Sequence, residues 1–440
     1  MFKKAVLILT VLFIAPMAFA VERKDLNVEF FNLFNDVYLY NYVNEAIDNN
    51  HSAKQATVRV EEYRQGVKSQ FANGLPSLNV AANYAGVHVP EIIPAVSNIR
   101  KNNFVLPFVA NYEADFLLKN RDKTNSAKKT YDMSKFDEQS AYLVLLSDVA
   151  TVYTNILQYD KLIEEQDKIV QNNEQILEDN NKKLSRGVIN TTELNNSKTN
   201  IETSKIVLEN LIKQREILLM QLAVLLGRNA DSASDIERGS IDDFEYMAEI
   251  PSELESDVIF SRPDVKRAEA ALEKARIDIR VARKEFLPTF NITGIWAFNT
   301  IVPGSFFSWE SSLAALIAGA TQDIFAGGRK VANLKFQKAK YEELFEQYRQ
   351  TDLEAVKEVN TSLCIIKHDT EIENKSKGQL NLEEKNLNSA KKMLNRGVIS
   401  KSQYLNSENL YINKDMDLAK AKTQRLVNYY TLYKTAGGKI

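Results

Sequence analysis

This sequence has few of the residues that interrupt regular structure or staple a chain together. Its 440 residues include only 15 glycines, 9 prolines and one cysteine, Cys364. A single cysteine excludes an intramolecular disulfide. Because Cys364 lies far from the N-terminus, we do not expect a lipoprotein anchored through an N-terminal cysteine. The shortage of glycine and proline predicts long, uninterrupted elements.

The usual signatures of catalysis and nucleic-acid binding are also missing. The three histidines, His51, His88 and His368, lie in unrelated contexts, without the spacing of metal ligands. Neither G-x-S-x-G nor a P-loop occurs, and Gly327-Gly328 is better interpreted as a tight strand-to-helix turn. The 56 basic residues are balanced by 58 acidic ones, which disfavours a nucleic-acid partner. We therefore predict no enzymatic activity, no cofactor and no metal.

Residues 1–20 have the pattern of a secretory signal peptide. Lys3 and Lys4 precede a short apolar run, and Ala18-Phe19-Ala20 fits a cleavage site. No later stretch of 18 or more residues is apolar throughout, as a membrane-spanning helix requires. The sequence thus predicts an exported protein whose mature chain begins near Val21.

The rest of the chain is made of two similar halves. Arg-Gly-Val-Ile occurs at 186–189 and again at 396–399, 210 residues later. Other landmarks repeat in the same order with nearly the same offset: Leu75-Pro76 with Leu287-Pro288, Asp115 with Asp323, and Gly227 with Gly437. An internal repeat is therefore predicted, with structural repeats at 21–230 and 253–440. Residues 231–252 are polar and acidic and are interpreted as a connecting equatorial segment.

Heptad spacing dominates the residues that precede each RGVI. In the first half every seventh residue is apolar, namely Tyr142, Val149, Ile156, Ile163, Val170, Leu177 and Leu184. This period predicts a left-handed coiled coil, and in the second half Glu373 interrupts it. A second seam turns polar at Gln166, Asn173 and Asn180, which predicts looser packing or contact with water. We interpret the two RGVI segments as tips of long helical hairpins, turned by Gly187 and Gly397.

At the other end of each half the apolar period changes to two. Alternation over 104–116 and 290–298 is typical of strands with one apolar face. Strand pairs are therefore predicted within 77–117 and 287–325. Trp296 and Trp309 flank the second strand loop and fit a membrane-interface belt. A hairpin packed on a soluble core is the alternative.

Four strands cannot close a membrane barrel by themselves. The smallest single-chain barrels have about eight strands, and open strand edges are not tolerated in lipid. If the strands are in a membrane, several copies must close the ring together, and a homotrimer gives twelve strands. A soluble periplasmic coiled-coil adaptor or scaffold shares the heptads but has no need for these strands, and it remains the alternative.

Several ordered motifs resemble the outer membrane efflux proteins, a family that includes TolC and OprM. They are FSRPDVKRAEA (260–270), which resembles the signature of the RND-type efflux subgroup, KEFLPTFNITG (284–294), TQDIFAGGRKV (321–331) and the two RGVI hairpins. The resemblance implies a mainly α protein with a trimeric 12-stranded outer membrane β-barrel and a periplasmic α-barrel of long antiparallel coiled-coil helices. It also implies the exit duct of a tripartite efflux or type I secretion system, exporting small molecules such as drugs. The partners would be a periplasmic adaptor and an inner-membrane transporter of RND or ABC type.

The resemblance also assigns candidate site residues. Adaptor docking falls on the hairpin tips, at Arg186, Gly187, Val188, Arg396, Gly397 and Val398. The positions that match an acidic tunnel constriction in the family are Glu193, Asn196, Gln403 and Asn406, only one of which is acidic. A ring that attracts cations is therefore expected to be weakened, and a solvated helix face is the alternative role for these four. The absence of a cysteine near the cleavage site implies anchoring by the barrel alone.

Overall fold

A computed structural model describes residues 27–88, 100–251, 255–300 and 307–440. The predicted signal peptide (1–20) and the predicted start of the second repeat at residue 253 lie outside the described residues. The helices are α1 Glu29–Asn32, α2 Val37–Asn49, α3 His51–Ala72, α4 Lys119–Ser185, α5 Thr191–Leu225, α6 Ser256–Phe260, α7 Pro263–Lys284, α8 Arg329–Asn395 and α9 Lys401–Thr435. The strands are β1 Ser77–Val80, β2 Asn83–His88, β3 Arg100–Ala114, β4 Thr289–Thr300 and β5 Ser312–Thr321.

The long helices occur in two pairs of equal length. α4 and α8 each have 67 residues, and α5 and α9 each have 35. At a rise of 1.5 Å per residue, α4 and α8 are about 100 Å long. One stretch of α4 is apolar enough to cross a membrane, but 67% of it is buried inside the fold, as expected of a central core helix.

The strands form one antiparallel sheet in which β1 and β2 both pair with β3, followed by β4 and β5. The structure thus differs from the prediction in dividing the first of the four strands in two. Pro107 of β3 explains the division, because it lies opposite Ala81 in the gap between β1 and β2. The Ala81 N–H donates to the Pro107 carbonyl (3.1 Å), but proline has no N–H with which to return the bond.

The pairing register gives the sheet one apolar face and one more polar face. Phe108 lies opposite Trp296, with ring centroids 6.0 Å apart, on the face that alternation predicted to be apolar. On the other face the Thr293 hydroxyl donates to the Asn111 side-chain oxygen (3.1 Å). The strand predicted over 104–116 ends at Ala114, and Phe116 lies in the following turn, edge-on to Phe290. The turn lets Phe116 extend the apolar face beyond the end of the strand.

The largest core lies at mid-height, where residues 28–34 and the end of α9 meet the connecting segment. Phe31 and Phe34 pack against Tyr430 of α9, and Phe34 also packs against Phe244. Phe244 belongs to the polar, acidic segment 231–252, and its burial makes that segment part of the core. The isolated bridge between Phe34 and Tyr246 ties the same segment to the N-terminal part.

Both halves join the end of a helix that rises from a hairpin tip to the start of a helix that continues towards the sheet, and both use the same device. The residue before α3, Asn50, donates from its side chain to the Leu225 carbonyl at the end of α5 (2.9 Å). The residue before α7, Arg262, donates to the Thr435 carbonyl at the end of α9 (2.9 Å). Each side chain satisfies a carbonyl that the helix end leaves unpaired. The arginine of the SRPDV motif is thereby explained as a structural joint.

Candidate functional site at the hairpin tips

The first hairpin tip is a helix ending that requires a left-handed residue. α4 ends at Ser185, and Gly187 follows with φ of +70°. The Gly187 N–H donates to the Leu184 carbonyl and the Val188 N–H donates to the Lys183 carbonyl, both at 2.9 Å. This pair of bonds defines a Schellman motif. No atom lies within 4 Å of the position a Cβ would take on Gly187, so the backbone angle alone demands glycine.

The second tip reproduces the first. Gly397 has φ of +72° after the end of α8 at Asn395. Its N–H donates to the Leu394 carbonyl and the Val398 N–H donates to the Met393 carbonyl, again at 2.9 Å. The repeated tetrad is therefore a repeated turn, as its position between long heptad segments predicted.

The ascending helices start from side-chain caps. The Asn190 side chain accepts from the Glu193 N–H (2.9 Å) at the start of α5. At the start of α9, Ser400 and Gln403 form a reciprocal capping box, with the Ser400 N–H donating to the Gln403 side chain (2.9 Å). Gln403 thus has a structural role at the helix start, and a carboxylate at Glu193 is favoured by the helix dipole.

The other two predicted constriction residues lie one turn further along the same helices. Asn196 and Asn406 are exposed, as are Glu193 and Gln403. The structure therefore places the four as two equivalent pairs on α5 and α9, each close to its tip. Among the described residues nothing closes a passage around them, so a constriction at this height would require further copies of the chain.

The side chains proposed to meet a partner project freely from the tips. Val188 and Val398 are 68% and 69% exposed, although valine is usually buried. Arg186 and Arg396 are exposed as well. Within the described residues neither arginine forms an ion pair, so both guanidinium groups are available.

The two tips of one chain lie side by side. The Lys183 ammonium donates to the Ser402 hydroxyl and forms an ion pair with Asp179 (2.7 Å). Burial by itself raises the pKa of Asp179, but Lys183 and Ser402 outweigh it and hold the pKa below its usual range. One hairpin's outgoing helix is thereby bonded to the start of the other hairpin's returning helix.

The polar seam of the coiled coil is hydrogen-bonded to the neighbouring helices, and two of its three residues, Asn173 and Asn180, are also partly exposed. Gln166 is buried and donates to the Ser204 carbonyl of α5 (3.0 Å). The Asn172 side chain donates to Asn409 of α9 (2.9 Å), which in turn donates to Asn173 (3.2 Å). Sequence reasoning found the polar positions but missed their partners, which lie up to 237 residues away.

A second buried polar contact joins α8 to α9. The Glu373 carboxylate, which breaks the heptad pattern, is buried and forms ion pairs with Arg425 and with Lys377 (2.8 Å). Burial by itself raises the pKa of Glu373, whereas the two cations lower it, and the cations prevail. The break in the apolar pattern is therefore a paired charge in the seam.

The two tryptophans lie at the opposite end of the molecule from the tips. Trp296 is 49% exposed on β4, between Phe108 and Phe298. Trp309 is 82% exposed in the short turn before β5. Both lie at the sheet end of the molecule.

The fold and the tips together define a class of protein: a chain with an antiparallel sheet at one end and two long helical hairpins at the other. The chain belongs to the outer membrane efflux protein family, whose model matches residues 42–228 and 254–438. It is 24% identical over 411 residues to outer membrane protein OprJ of Pseudomonas aeruginosa, covering 92% of this chain and 84% of OprJ. It is also 24% identical over 416 residues to the probable outer membrane lipoprotein SilC of Salmonella typhimurium, covering 92% of this chain and 87% of SilC.

A solved channel has the same fold. The Campylobacter jejuni CmeC outer membrane channel superposes with a TM-score of 0.84 at 20% identity, covering 93% of this chain and 87% of CmeC. Family membership favours an outer membrane efflux channel over the soluble periplasmic scaffold that the sequence left open.

Proposed function

We propose that three copies of this chain form the outer membrane exit duct of a tripartite efflux system. The observation that carries the proposal is a pair of open edges: among the described residues, the sheet and the helical part each leave one edge uncovered in the first half and one in the second. Such a chain is complete only when the second half of one copy meets the first half of the next.

In the sheet, the open edges are β1/β2 from the first half and β5 from the second. Unpaired backbone groups at these edges cannot remain in lipid. Pairing β5 of one copy with β1/β2 of the next closes the sheet, and three copies supply twelve strand positions. The apolar face then meets lipid, with Trp296 and Trp309 near its borders.

In the helical part, the helices follow the order α5, α4, α9, α8, so α5 and α8 form the open edges. Both edge helices carry large apolar side chains that the single chain leaves exposed. On α5 they are Ile206, Val207, Ile217, Met220 and Val224, and on α8 they include Leu353, Val356, Ile365, Ile372, Leu382 and Met393. Pairing α8 with α5 of the neighbouring copy buries both rows in a closed tube of helices.

At the far end of this tube the RGVI tips face the inner membrane. Arg186, Val188, Arg396 and Val398 then form the surface that meets a periplasmic adaptor, with Gly187 and Gly397 setting the turn. An inner-membrane transporter of RND or ABC type supplies the substrate and the energy. Glu193, Asn196, Gln403 and Asn406 lie just above the tips, at the narrowest part of the tube. We further propose that the barrel alone anchors this chain, whereas its relative SilC is a probable outer membrane lipoprotein.

Cross-linking tests the closure. Met220 lies 30 residues after the cap residue Asn190, and Ile365 lies 30 residues before Asn395, the last residue of α8, so both are at the same height above the tips. In a Cys364→Ser background, Met220→Cys with Ile365→Cys should give covalent dimers and trimers with a short thiol cross-linker. Each cysteine alone is the control. Absence of inter-chain products from the double variant, with both thiols reactive, contradicts the proposed pairing.

Efflux from cells tests the duct. Cells that lack this chain should retain a fluorescent efflux dye, and the wild-type gene should restore its loss. Arg186→Glu with Arg396→Glu should assemble normally but fail to restore efflux, because the tip charge that meets the adaptor is reversed. Arg59→Glu, an exposed position on α3, is the matched control. Full efflux from the tip variant excludes the arginines from docking.

A further inference from the structure

The hairpin tips carry a charge that the chain as a whole lacks. The tip segments 182–194 and 392–404 contain six basic residues, Lys182, Lys183, Arg186, Lys392, Arg396 and Lys401, and one acidic residue, Glu193. The net charge of the full sequence is −2. The excess of positive charge is therefore local to this end of the molecule.

In the next turns of the same four helices, acidic residues outnumber basic ones. Segments 172–181, 195–204, 382–391 and 405–414 together hold seven acidic and four basic residues. Two of these acids neutralise tip lysines, since Lys182 pairs with Glu178 and Lys183 pairs with Asp179, both at 2.7 Å. The positive excess that remains is confined to the outermost turn.

Four tip cations are found in no ion pair among the described residues. They are Arg186, Lys392, Arg396 and Lys401, and all four are exposed. Unpaired cations separated by less than a Debye length, about 10 Å at 0.1 M salt, add their fields. The tips are therefore a source of positive potential, whichever way each flexible side chain points.

Helix stability does not account for all of these charges. Lysines in the last turns of α4 and α8 are stabilised by the negative ends of the helix dipoles. Lys401, however, is the first residue of α9, where the dipole is positive and a cation is disfavoured. The equivalent residue of α5 is the neutral Thr191. A charge placed against the local preference indicates a role beyond the helix itself.

We propose that the tips form a cationic mouth that draws anions into the tunnel in preference to cations. This rests on the proposed trimeric duct, in which three pairs of tips surround one opening. Like charges around a narrow aperture with low-dielectric walls focus the potential along its axis and concentrate counter-ions there. The solutes that this channel accepts most readily are therefore anionic, or neutral with an anionic group.

Ion selectivity of the full-length protein in planar bilayers tests the mouth. Under a gradient of dilute KCl, the zero-current potential should have the sign expected when chloride carries most of the current. The preference should fade in 1 M salt, where the Debye length falls to about 3 Å. From the tip side, the multivalent anion hexacyanoferrate should reduce the current at concentrations where hexaamminecobalt(III) leaves it unchanged.

A charge-neutralised variant and a matched control locate the effect. Arg186→Gln, Lys392→Gln, Arg396→Gln and Lys401→Gln together should move the zero-current potential to near zero. The control removes four exposed cations of α3 and α8 far from the tips: Lys54→Gln, Arg59→Gln, Lys335→Gln and Lys338→Gln. It should keep the chloride preference.

The possible outcomes test the proposed channel and the proposed cationic mouth separately. If no step currents appear in any protein, the proposed channel itself fails. If the wild type gives step currents that prefer potassium or show no ion preference, the cationic mouth is wrong but the proposed channel is not contradicted. An unchanged chloride preference in the tip variant, or an equal loss in the control, also overturns it. The block by hexacyanoferrate needs no variant, so a tip variant that fails to assemble still leaves a decisive measurement.

Discussion

α4 and α8 have the same length and the same heptad spacing, yet the fold gives them different surroundings. Of their 67 residues each, 24 are buried in α4 and only 6 in α8. At positions 210 residues apart, Leu143 is 5% exposed and Leu353 is 66% exposed, while Leu162 is 2% exposed and Ile372 is 52% exposed. α4 lies between α5 and α9, whereas α8 contacts α9 and α7, and no long helix of the described residues covers its other side. The same apolar pattern thus forms part of the core in α4, whereas in α8 it forms an exposed apolar surface that another copy of the chain could cover.

The seam of α8 differs from that of α4 at one position above all. Glu373 corresponds to Ile163 and is buried against Arg425. Glu373→Gln should lower the free energy of unfolding by about 3 kcal/mol at pH 7, since it leaves the largely enclosed Arg425 guanidinium without its counter-charge. Denaturant unfolding measures this. Glu371→Gln, exposed two residues earlier, is the control and should change it by less than about 0.5 kcal/mol.

The same pair has a predictable dependence on pH. The pKa of Glu373 is lowered in the folded chain, so its stabilisation is present above the pKa of an unfolded glutamate, about 4.3. It is lost as the pH falls through the lower folded value. The difference between wild type and Glu373→Gln should therefore narrow below about pH 4. A difference that stays constant down to pH 3 contradicts the ion pair.

The next prediction uses two leucines at equivalent positions. Leu143→Ala should cost about 2–5 kcal/mol of unfolding free energy, because it opens a cavity in the packed core. Leu353→Ala should leave the fold of the single chain nearly unchanged but lower the temperature at which trimers dissociate on semi-native gels. Equal effects of the two substitutions on both measurements would remove the distinction between core and interface.

The tips allow a test in which the two halves should behave alike. Gly187→Ala and Gly397→Ala should each cost about 1–2 kcal/mol, since a Cβ disfavours the left-handed conformation. Gly378→Ala in the middle of α8 should instead stabilise by about 0.5–1 kcal/mol, because alanine is favoured inside a helix and the space beside Gly378 is open. Thermal unfolding of the three variants gives the comparison, and a loss at Gly378 as large as that at the tips contradicts it.

The smallest effect is expected where the sheet passes into α4. Leu118 precedes α4 with φ of +57°, whereas the corresponding residue before α8 is Gly328 with φ of +81°. Leu118→Gly should relieve this strain and stabilise by up to about 1 kcal/mol. Gly328→Ala should lower the free energy of unfolding by a similar amount. If Leu118→Gly destabilises, the contacts of the leucine side chain outweigh its backbone strain.

The hairpin tips could be predicted from the sequence because each feature there depends only on residues close together in the chain. A heptad run and a glycine after it are enough to predict the turns at Gly187 and Gly397. The paired contacts of Asn172 with Asn409 and of Arg262 with Thr435 were out of reach, since each joins residues far apart in the chain. Pro107 was visible as a proline within a strand, but its effect depended on which residue lay opposite it.

The sequence by itself determined the length of the helices, their duplication and the turns between them. Those properties follow from the period of apolar residues and from backbone angles that only glycine adopts easily. Only the tertiary structure decided which of two similar helices is enclosed, and which partners the polar seam residues find. Burial and hydrogen bonding depend on neighbours brought together from distant parts of the chain, and a repeated local pattern cannot specify different neighbours for its two copies.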